Sequence, residues 1–284
     1  MKIEAQFDPR SYTLTYIVFD ENTKDALVID PVLDYDYLAS KISYESVDKI
    51  DQFVQENSLN LIYTLETHAH ADHLSASQIL KERYPNIKIG IGKHITKVQE
   101  IFKPVFNLQD LKTNGSQFDL LLDEENHIKL GSIEIKTIFT PGHTPACCSF
   151  LMEDHIFVGD TLFMPDYGTG RCDFPAGSAK DMYHSIHEKL FSLPDETKIY
   201  VGHDYQPGGR ELQYQTTIGI SKKENISLTQ KMSQEQYVNA RTTRDNTLRE
   251  PKLILQSVQV NIDAGKLPRP EENQTSYLKI PITH

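Results

Sequence analysis

The alternation of apolar and polar positions predicts that the chain opens with antiparallel strands. Residues Tyr12 to Phe19 and Ala26 to Val32 are rich in β-branched and aromatic side chains, which favour extended backbone. The polar, turn-forming stretch Asp20 to Thr23 separates the two runs. This pattern is typical of a β-hairpin.

Beyond the hairpin, helical and strand-like patterns alternate, which indicates a layered α/β domain. The predicted elements are, in order, a helix with Val47, Ile50 and Val54 on one face, a buried strand over Leu59 to Leu65, a helix from a Ser75-x-x-Gln78 capping box through Leu80, and a strand over Ile87 to Ile91.

The second half of the chain begins with a less regular stretch, Val98 to Asn126, and then returns to strands. Strands are predicted over Ile128 to Leu130, Ile133 to Phe139, Cys148 to Met152, His155 to Val158 and Lys198 to Val201, with a helix that starts at Ser178-x-x-Asp181 and carries the stripe Met182, Ile186 and Leu190.

From about Gln206 the pattern changes to polar helical sequence near Ser233 to Arg241 and a tail punctuated by proline around Leu267 to Pro270. We therefore expect one main domain over residues 1–205 and a C-terminal extension, residues 206–284, packed on the same domain. A length of 284 residues is compatible with this division.

Charge and composition exclude several classes of function. With 29 basic and 40 acidic residues the formal net charge is -11, which repels phosphate backbones and anionic lipids, so we expect no nucleic-acid or membrane partner. The N-terminus lacks a signal-peptide pattern and no apolar run reaches membrane-spanning length. Three cysteines, two of them adjacent, supply no disulfide framework, so the predicted location is the cytoplasm.

A dense cluster of metal-binding residue types follows the predicted strand 59–65. The segment Thr67-His68-Ala69-His70-Ala71-Asp72-His73 places three imidazoles and a carboxylate within a few residues. Neutral imidazole and carboxylate are ligands that divalent transition metals prefer. The segment therefore predicts a metal site at the carboxyl end of a strand.

Three further residues, His143, Asp160 and His203, each follow a glycine at the end of a predicted strand. A turn would explain any one of them alone. Together, strand ends converge on one edge of a layered fold, so we predict that they join the first cluster. The other histidines are assigned no chemistry: His94, His127, His155, His184, His187 and His284. A surface charge pair with Asp181 accounts for His184.

The order His-x-His-x-Asp-His, Gly-His, Gly-Asp, Gly-His resembles the metallo-β-lactamase superfamily over about residues 10–205. The resemblance implies an α/β fold, the αβ/βα four-layer sandwich, with two mixed sheets face to face, helices outside and the metal at one edge. The C-terminal extension would be added to this fold.

Within the superfamily, several segments are similar to the persulfide dioxygenases: Asp160 to Phe163, Gly170 to Phe174, Tyr183 to Ser185, His187 to Lys189 and His203 to Tyr205. The resemblance implies one ferrous iron per chain, held by His68, His143 and Asp160. The implied reaction oxidises glutathione persulfide, or a related low-molecular-weight thiol persulfide, with O2 to sulfite and thiol. It also suggests a homodimer. The catalytic residues implied around the metal are His70, Asp72, His73 and His203.

Arg171 and Tyr205 match positions that the family places beside the thiol, and Cys172 lies in the same loop. These three residues are the candidate substrate contacts. Two other interpretations stay open: Arg171 forms a salt bridge with Asp173, and Cys172 is an ordinary packing residue. The segment between His73 and His143 is longer than in short family members. The extension resembles that of a bacterial subgroup, and its two expected roles are to cap the pocket or to alter the thiol preference.

Two other functions compete. In a dinuclear zinc hydroxyacylglutathione hydrolase, the same side chains would hold two ions, with His68, His70 and His143 on one, Asp72, His73 and His203 on the other, and Asp160 as the bridge. One or two zinc ions would then replace iron. The second is a non-enzymatic sulfur- or redox-sensing protein with a structural metal, which the cysteine-free cluster disfavours because structural sites often use cysteine ligands.

Overall fold

The computed structural model describes residues 1–282, so Thr283 and His284 lie outside it. Its strands are β1 (Lys2–Asp8), β2 (Thr13–Phe19), β3 (Asp25–Ile29), β4 (Val32–Asp36), β5 (Lys41–Ser43), β6 (Asn60–Glu66), β7 (Leu74–Ser75), β8 (Lys88–Gly92), β9 (Leu120–Leu122), β10 (Ile128–Leu130), β11 (Ile133–Phe139), β12 (Cys148–Met152), β13 (His155–Phe157), β14 (Lys198–Tyr200) and β15 (Gln215–Thr217). Its α-helices are α1 (Glu45–Glu56), α2 (Ser77–Arg83), α3 (Ile95–Val105), α4 (Ala179–His184), α5 (Ile218–Glu224), α6 (Gln234–Asp245) and α7 (Ile254–Asn261).

Two mixed six-stranded sheets face each other. The first has the order β1-β2-β3-β6-β8-β9, and the second has the order β10-β11-β12-β13-β14-β15. In the first sheet β1, β2 and β3 pair antiparallel, whereas β3, β6, β8 and β9 run parallel. A small sheet, β5-β4-β7, lies beside them. This architecture is the metallo-β-lactamase fold, so the predicted α/β four-layer sandwich is confirmed.

The period-two pattern of the first strands decides which face each residue covers. Tyr16 and Val18 belong to the core between the two sheets, while Ile17, between them in sequence, packs with the helical layer outside. In that layer Val47 and Ile50 of α1 are buried, as their helical spacing predicts. The hairpin of β2 and β3 and the strand-helix alternation are confirmed. The predicted strand over Ala26 to Val32 is wrong in extent: β3 ends at Ile29 and β4 begins at Val32, because Asp30, with a φ of +50°, and Pro31 interrupt the extended backbone.

Local signals failed at two helices. The predicted capping box at Ser75 is wrong: α2 begins at Ser77, and the Ser75 hydroxyl instead donates to the buried carboxylate of Glu66. A buried charged acceptor competes strongly for the hydroxyl, which explains the difference. The stretch from 98 onward also contains most of α3, whose pattern is obscured by Pro104 in its last turn.

The segment from 206 onward is built into the domain at several points. Strand β15 pairs antiparallel with β14 and extends the second sheet. Helix α6 lies beside α4, and α7 packs against α3 and β7. Helix α6 begins with a capping box formed by Ser233 and Gln236. Within residues 1–282, no helix combines the length and apolar character needed to cross a membrane.

Candidate metal centre

The carboxyl ends of four strands meet at one edge of the sandwich. The segment His68 to His73 follows β6, and His143, Asp160 and His203 follow β11, β13 and β14. Backbone hydrogen bonds tie these loops together: the Gly202 N–H donates to the Gly159 carbonyl at 3.2 Å, and the Cys148 N–H donates to the Thr67 carbonyl at 2.9 Å. The two sheets therefore deliver their loops to a common site.

Gly159 shows why a glycine precedes Asp160. Its φ is +50°, and a Cβ there would lie 2.4 Å from the Thr67 hydroxyl oxygen. A left-handed backbone and a close approach together leave room only for hydrogen. The glycine lets β13 end directly against the His68 loop.

The three predicted metal ligands lie together. One ligand atom from each of His68, His143 and Asp160 falls within 4.8 Å of the others. Asp160 Oδ2 is 3.6 Å from His143 Nε2 and 4.0 Å from His68 Nε2. All three side chains are largely withdrawn from solvent. Two imidazoles and one carboxylate therefore face one small volume.

A second group adjoins this triad. Ligand atoms of His70, Asp72 and His73 also lie within 4.8 Å of one another. His203 lies between the groups, because its Nε2 is 3.2 Å from Asp160 Oδ1 and 3.6 Å from Asp72 Oδ2. The structure thus brings all seven predicted residues of the centre to one place.

Backbone carbonyls fix which imidazole nitrogen faces the centre. The Nδ1 of His143 is 2.8 Å from the Arg171 carbonyl, and the Nδ1 of His73 is 3.0 Å from the Leu74 carbonyl. A carbonyl only accepts, so Nδ1 carries the proton and Nε2 keeps its lone pair. The same tautomer follows for His68, because the Thr67 hydroxyl donates to Asp30 and can accept from His68 Nδ1.

His70 has the opposite orientation. Its Nε2 lies 3.0 Å from Asp30 Oδ1 and 3.3 Å from Glu66 Oε2, both of them buried carboxylates. Asp30 also accepts from the Thr67 N–H at 2.7 Å. Glu66 accepts from the Ser77 hydroxyl at 2.6 Å. This buried network orients His70 and leaves its Nδ1 directed away from the carboxylates.

The electrostatic environment keeps two imidazoles of the centre, those of His68 and His73, neutral. Burial and the neighbouring imidazoles lower the pKa of His68 well below its ordinary value, and the same causes lower that of His73. Burial alone would lower the pKa of His70, but the Asp30 and Glu66 carboxylates outweigh it and raise that pKa. For Asp72, burial is outweighed by His203, His73 and His70, which lower its pKa to about 2. Neutral imidazole beside ionised carboxylate is the state that binds a cation.

Buried ring nitrogens without hydrogen-bond partners among residues 1–282 indicate that these residues fit a metal ion. The Nε2 atoms of His68 and His73 and the Nδ1 of His70 are buried without a hydrogen-bond partner in the described chain. A buried polar atom left unpaired costs on the order of 1–3 kcal/mol. Several such atoms beside the Asp72 and Asp160 carboxylates are explained by a cation, and a nitrogen and oxygen donor set suits iron or zinc.

A cleft of about 640 Å³ opens onto the triad at His143 and Asp160. Its wall includes Tyr205, whose ring stacks on Tyr167 at 4.5 Å between centroids. Burial and the nearby Asp160 and Asp72 carboxylates raise the pKa of Tyr205 well above its ordinary value, so the phenol stays protonated and available as a donor.

The other two candidate substrate contacts are placed differently. Arg171 lines the cleft, but its guanidinium forms the expected salt bridge with Asp173, with Nη2 donating to Oδ2 at 2.6 Å. Its Nη1 donates to the Arg249 carbonyl at 2.7 Å. Cys172 is buried in the main core and does not line the described part of the cleft. The structure therefore gives Cys172 a packing position, because its loop turns the thiol inward.

Sequence reasoning missed Asp30, Glu66 and Asn261, and it assigned His184 the wrong partner. An available signal for the first two was an acidic residue that stops an apolar run, because Asp30 interrupts the run 26–32 and Glu66 follows the run 59–65. Asn261 had no local signal, because it acts on residues far away in the sequence. His184 pairs with Glu188 at 2.7 Å rather than with Asp181.

Comparison with known proteins agrees with this geometry. A model described as the metallo-beta-lactamase superfamily matches residues 8–203. The chain is 45% identical to a probable metallo-hydrolase of Burkholderia pseudomallei over 99% of each chain, and 44% identical to glyoxylase B2 of Dictyostelium discoideum over 100% of this chain and 97% of the relative. It is 35% identical to the mitochondrial persulfide dioxygenase of Homo sapiens, covering 72% of this chain and 68% of that protein. The crystal structure of ETHE1 from Myxococcus xanthus superposes with a TM-score of 0.76 at 32% identity, covering 94% of this chain and 100% of that one.

Proposed function

Because this chain belongs to the metallo-β-lactamase superfamily and resembles persulfide dioxygenases in sequence and structure, we propose that it is a non-haem iron persulfide dioxygenase. Its reaction would be thiol persulfide plus O2 plus water giving thiol plus sulfite. The reaction balances with the release of two protons: the S–S bond breaks, the outer sulfur gives four electrons to O2, and that sulfur gains both oxygens of O2 and the oxygen of water.

One observation carries the proposal: His68, His143 and Asp160 converge, and two of them border the open cleft. Two imidazoles and one carboxylate are the ligand set of non-haem iron oxygenases. A ferrous ion held by these residues would supply free coordination positions for the persulfide sulfur and O2 side by side. The neighbouring His70, Asp72, His73 and His203 would orient the ligands and carry protons.

The charge of the cleft supports an anionic thiol substrate. The chain has a net charge of -11, yet in the described part of the chain the cleft is lined by five basic side chains and only three carboxylates, of which Asp72 and Asp160 face the metal centre and Asp166 pairs with Arg210. Three of them are engaged by carboxylates: Arg10, Arg171 and Arg241. Among residues 1–282, Arg244 and Lys252 of the extension form no ion pair with a carboxylate, so they remain available to a substrate. Glutathione, with two carboxylates, suits such a wall.

The test is oxygen uptake and sulfite release from glutathione persulfide by anaerobically purified, iron-loaded protein. We expect His143→Ala and Asp160→Ala to abolish iron content and sulfite production, because each removes a ligand. His184→Ala is the matched control, since that histidine pairs at the surface with Glu188. Full iron content and activity in either ligand variant would contradict the assignment.

A second candidate is the dinuclear zinc hydroxyacylglutathione hydrolase. The adjacent group of His70, Asp72 and His73 favours it, as does His203 between two carboxylates. The names of the relatives, glyoxylase B2 and probable metallo-hydrolase, point the same way. Two zinc ions per chain with thioester hydrolysis and no oxygen uptake would replace the dioxygenase proposal with this one.

A redox sensor is disfavoured by the state of its thiols. All three cysteines are buried. Burial raises the pKa of Cys147 to about 12 and raises those of Cys148 and Cys172 as well. Oxidation proceeds through the thiolate, so these thiols are poor reporters.

A further inference from the structure

The side chain of Asn261, on α7 in the C-terminal segment, bonds directly to the loop that carries the first cluster of histidines. Its Nδ2 donates to the carbonyls of His70 and His73, both at 2.8 Å, and its Oδ1 accepts from the Ser75 N–H at 2.8 Å. The side chain is buried, with Asn261 only 4% exposed. One amide thus uses both donors and its acceptor on a single short loop.

The loop itself needs such support. Between the end of β6 and the start of β7 the backbone follows no helix or strand, although it carries three imidazoles and a carboxylate. In irregular backbone, buried carbonyls lack the ladder partners of a helix or sheet and need donors from side chains, turns or ordered water. Asn261 supplies two such donors, and both reach carbonyls of histidines in the site.

Helix α7 is itself firmly anchored, so it offers a fixed point. Val258 and Ile262 are fully buried in a core shared with α3, and the Ile262 carbonyl accepts from Gln99 at 2.9 Å. Just beyond the helix, Gly265 has a φ of +81° and passes so close to Ser75 that a Cβ would lie 3.0 Å from the Ser75 carbonyl. The helix is thus held against the loop on both sides of Asn261.

We propose that Asn261 is a positioning residue for the metal centre, through which the C-terminal segment fixes the His68 to His73 loop in its ligand-binding conformation. Its contacts are to backbone, so it acts through the loop and touches neither metal nor substrate. This inference rests on the proposed function only in requiring a metal at the centre. It applies to one iron through His68, which lies in the same loop, and to two zinc ions, for which His70 and His73 would themselves be ligands.

The matched control is Gln259 on the same helix. It is also a buried amide, 5% exposed, and it also bonds to backbone: its Nε2 donates to the Lys279 carbonyl at 2.9 Å, and its Oε1 accepts from the Lys279 N–H at 2.9 Å. Lys279 lies in the tail rather than in the metal loop. Asn261→Ala and Gln259→Ala therefore each remove one buried amide from the same helix. The first loses bonds to the metal loop, and the second loses bonds to the tail.

The experiment measures metal affinity by chelator competition with zinc and with ferrous iron, alongside the visible spectrum of the cobalt-substituted protein. Unfolding of the metal-free protein is measured in parallel. We expect both alanine variants to lose comparable stability. Only Asn261→Ala should lose affinity, by about 10- to 100-fold, with an altered cobalt spectrum, because outer contacts to ligands typically have effects of that size.

A second variant covers the case in which Asn261→Ala does not fold. Asn261→Asp keeps the size and the acceptor but replaces the donating nitrogen with an oxygen that faces two carbonyls. It should weaken metal binding at least as much as the alanine variant. Wild-type affinity in a folded Asn261 variant, or an equal loss in Gln259→Ala, would overturn the proposal. Sulfite production is measured separately. If the wild-type protein makes no sulfite but its metal affinity still falls in the Asn261 variants, only the proposed function is refuted.

Discussion

Helix α6 carries a buried ion pair that supports the loop behind His143. Arg241 Nη2 donates to Asp245 Oδ1 at 2.6 Å, and Arg241 Nη1 donates to the Thr169 carbonyl at 3.1 Å. The other carboxylate oxygen of Asp245 accepts from the Cys172 N–H at 2.9 Å. The preceding carbonyl, that of Arg171, accepts from His143 Nδ1. Asp245→Ala would therefore disturb both stability and the metal centre.

The size of the effect follows from burial. The side chains of Arg241 and Asp245 are 8% and 5% exposed, so removal of the carboxylate leaves a buried guanidinium without a counter-charge. Loss of one partner from a buried pair costs about 3–5 kcal/mol. The same substitution also leaves the Cys172 N–H without its acceptor. Its cost is not added separately, because energies of groups in one hydrogen-bond network are not additive. With a shift of about 2–4 °C per kcal/mol in a domain of this size, Tm should fall by about 10 °C.

Urea denaturation and thermal unfolding of the metal-free protein measure this loss. Glu188→Ala is the matched control, because its carboxylate also pairs at i,i+4 spacing, with His184 at 2.7 Å, but is 62% exposed. An exposed pair contributes about 0–1 kcal/mol. A loss for Asp245→Ala no larger than the control would refute the argument from burial. Replacing both Arg241 and Asp245 with apolar residues should recover much of the stability.

Three further predictions follow from other parts of the molecule. Gly159→Ala should lower Tm and metal content, because the residue has a φ of +50° and its added Cβ would collide with Thr67. Gly208→Ala is the control: its φ is +70°, but no atom lies within 4 Å of the added Cβ, so Tm should fall only slightly. Equal effects in the two variants would contradict the steric reason. All three thiols are buried, and burial raises the pKa of Cys147 to about 12. A thiol reagent at pH 8 should therefore label no cysteine in the native protein and three after unfolding. Rapid labelling of the native protein would contradict this, because it requires an accessible thiolate. Arg244→Ala and Lys252→Ala should each raise KM for glutathione persulfide several-fold, because each removes a charged group from the cleft. One hydrogen bond to a charged group is worth about 1.5–3 kcal/mol when buried and less at the mouth of a cleft. An equal rise in KM with an uncharged alkyl persulfide would exclude charge recognition.

The sequence alone determined the elements that local periodicity controls. Period-two runs predicted β2, β3 and β11, and helical spacing predicted α1, because side-chain direction in these elements repeats within a few residues. It also placed His68, His143 and Asp160 at strand ends, because a strand's end is visible where its apolar run stops. The four-layer fold was then predicted from the resemblance of these motifs, in their order, to the metallo-β-lactamase superfamily.

The tertiary structure decided whatever depends on residues distant along the chain. The orientation of His70 by Asp30, the engagement of Arg171 by Asp173 and Arg249, and the inward thiol of Cys172 follow from how loops pack. Asn261 meets the histidine loop only after the C-terminal segment has folded back across the domain. Local pattern carries no information about such contacts, because they arise from long-range closure of the chain rather than from the preferences of neighbouring residues.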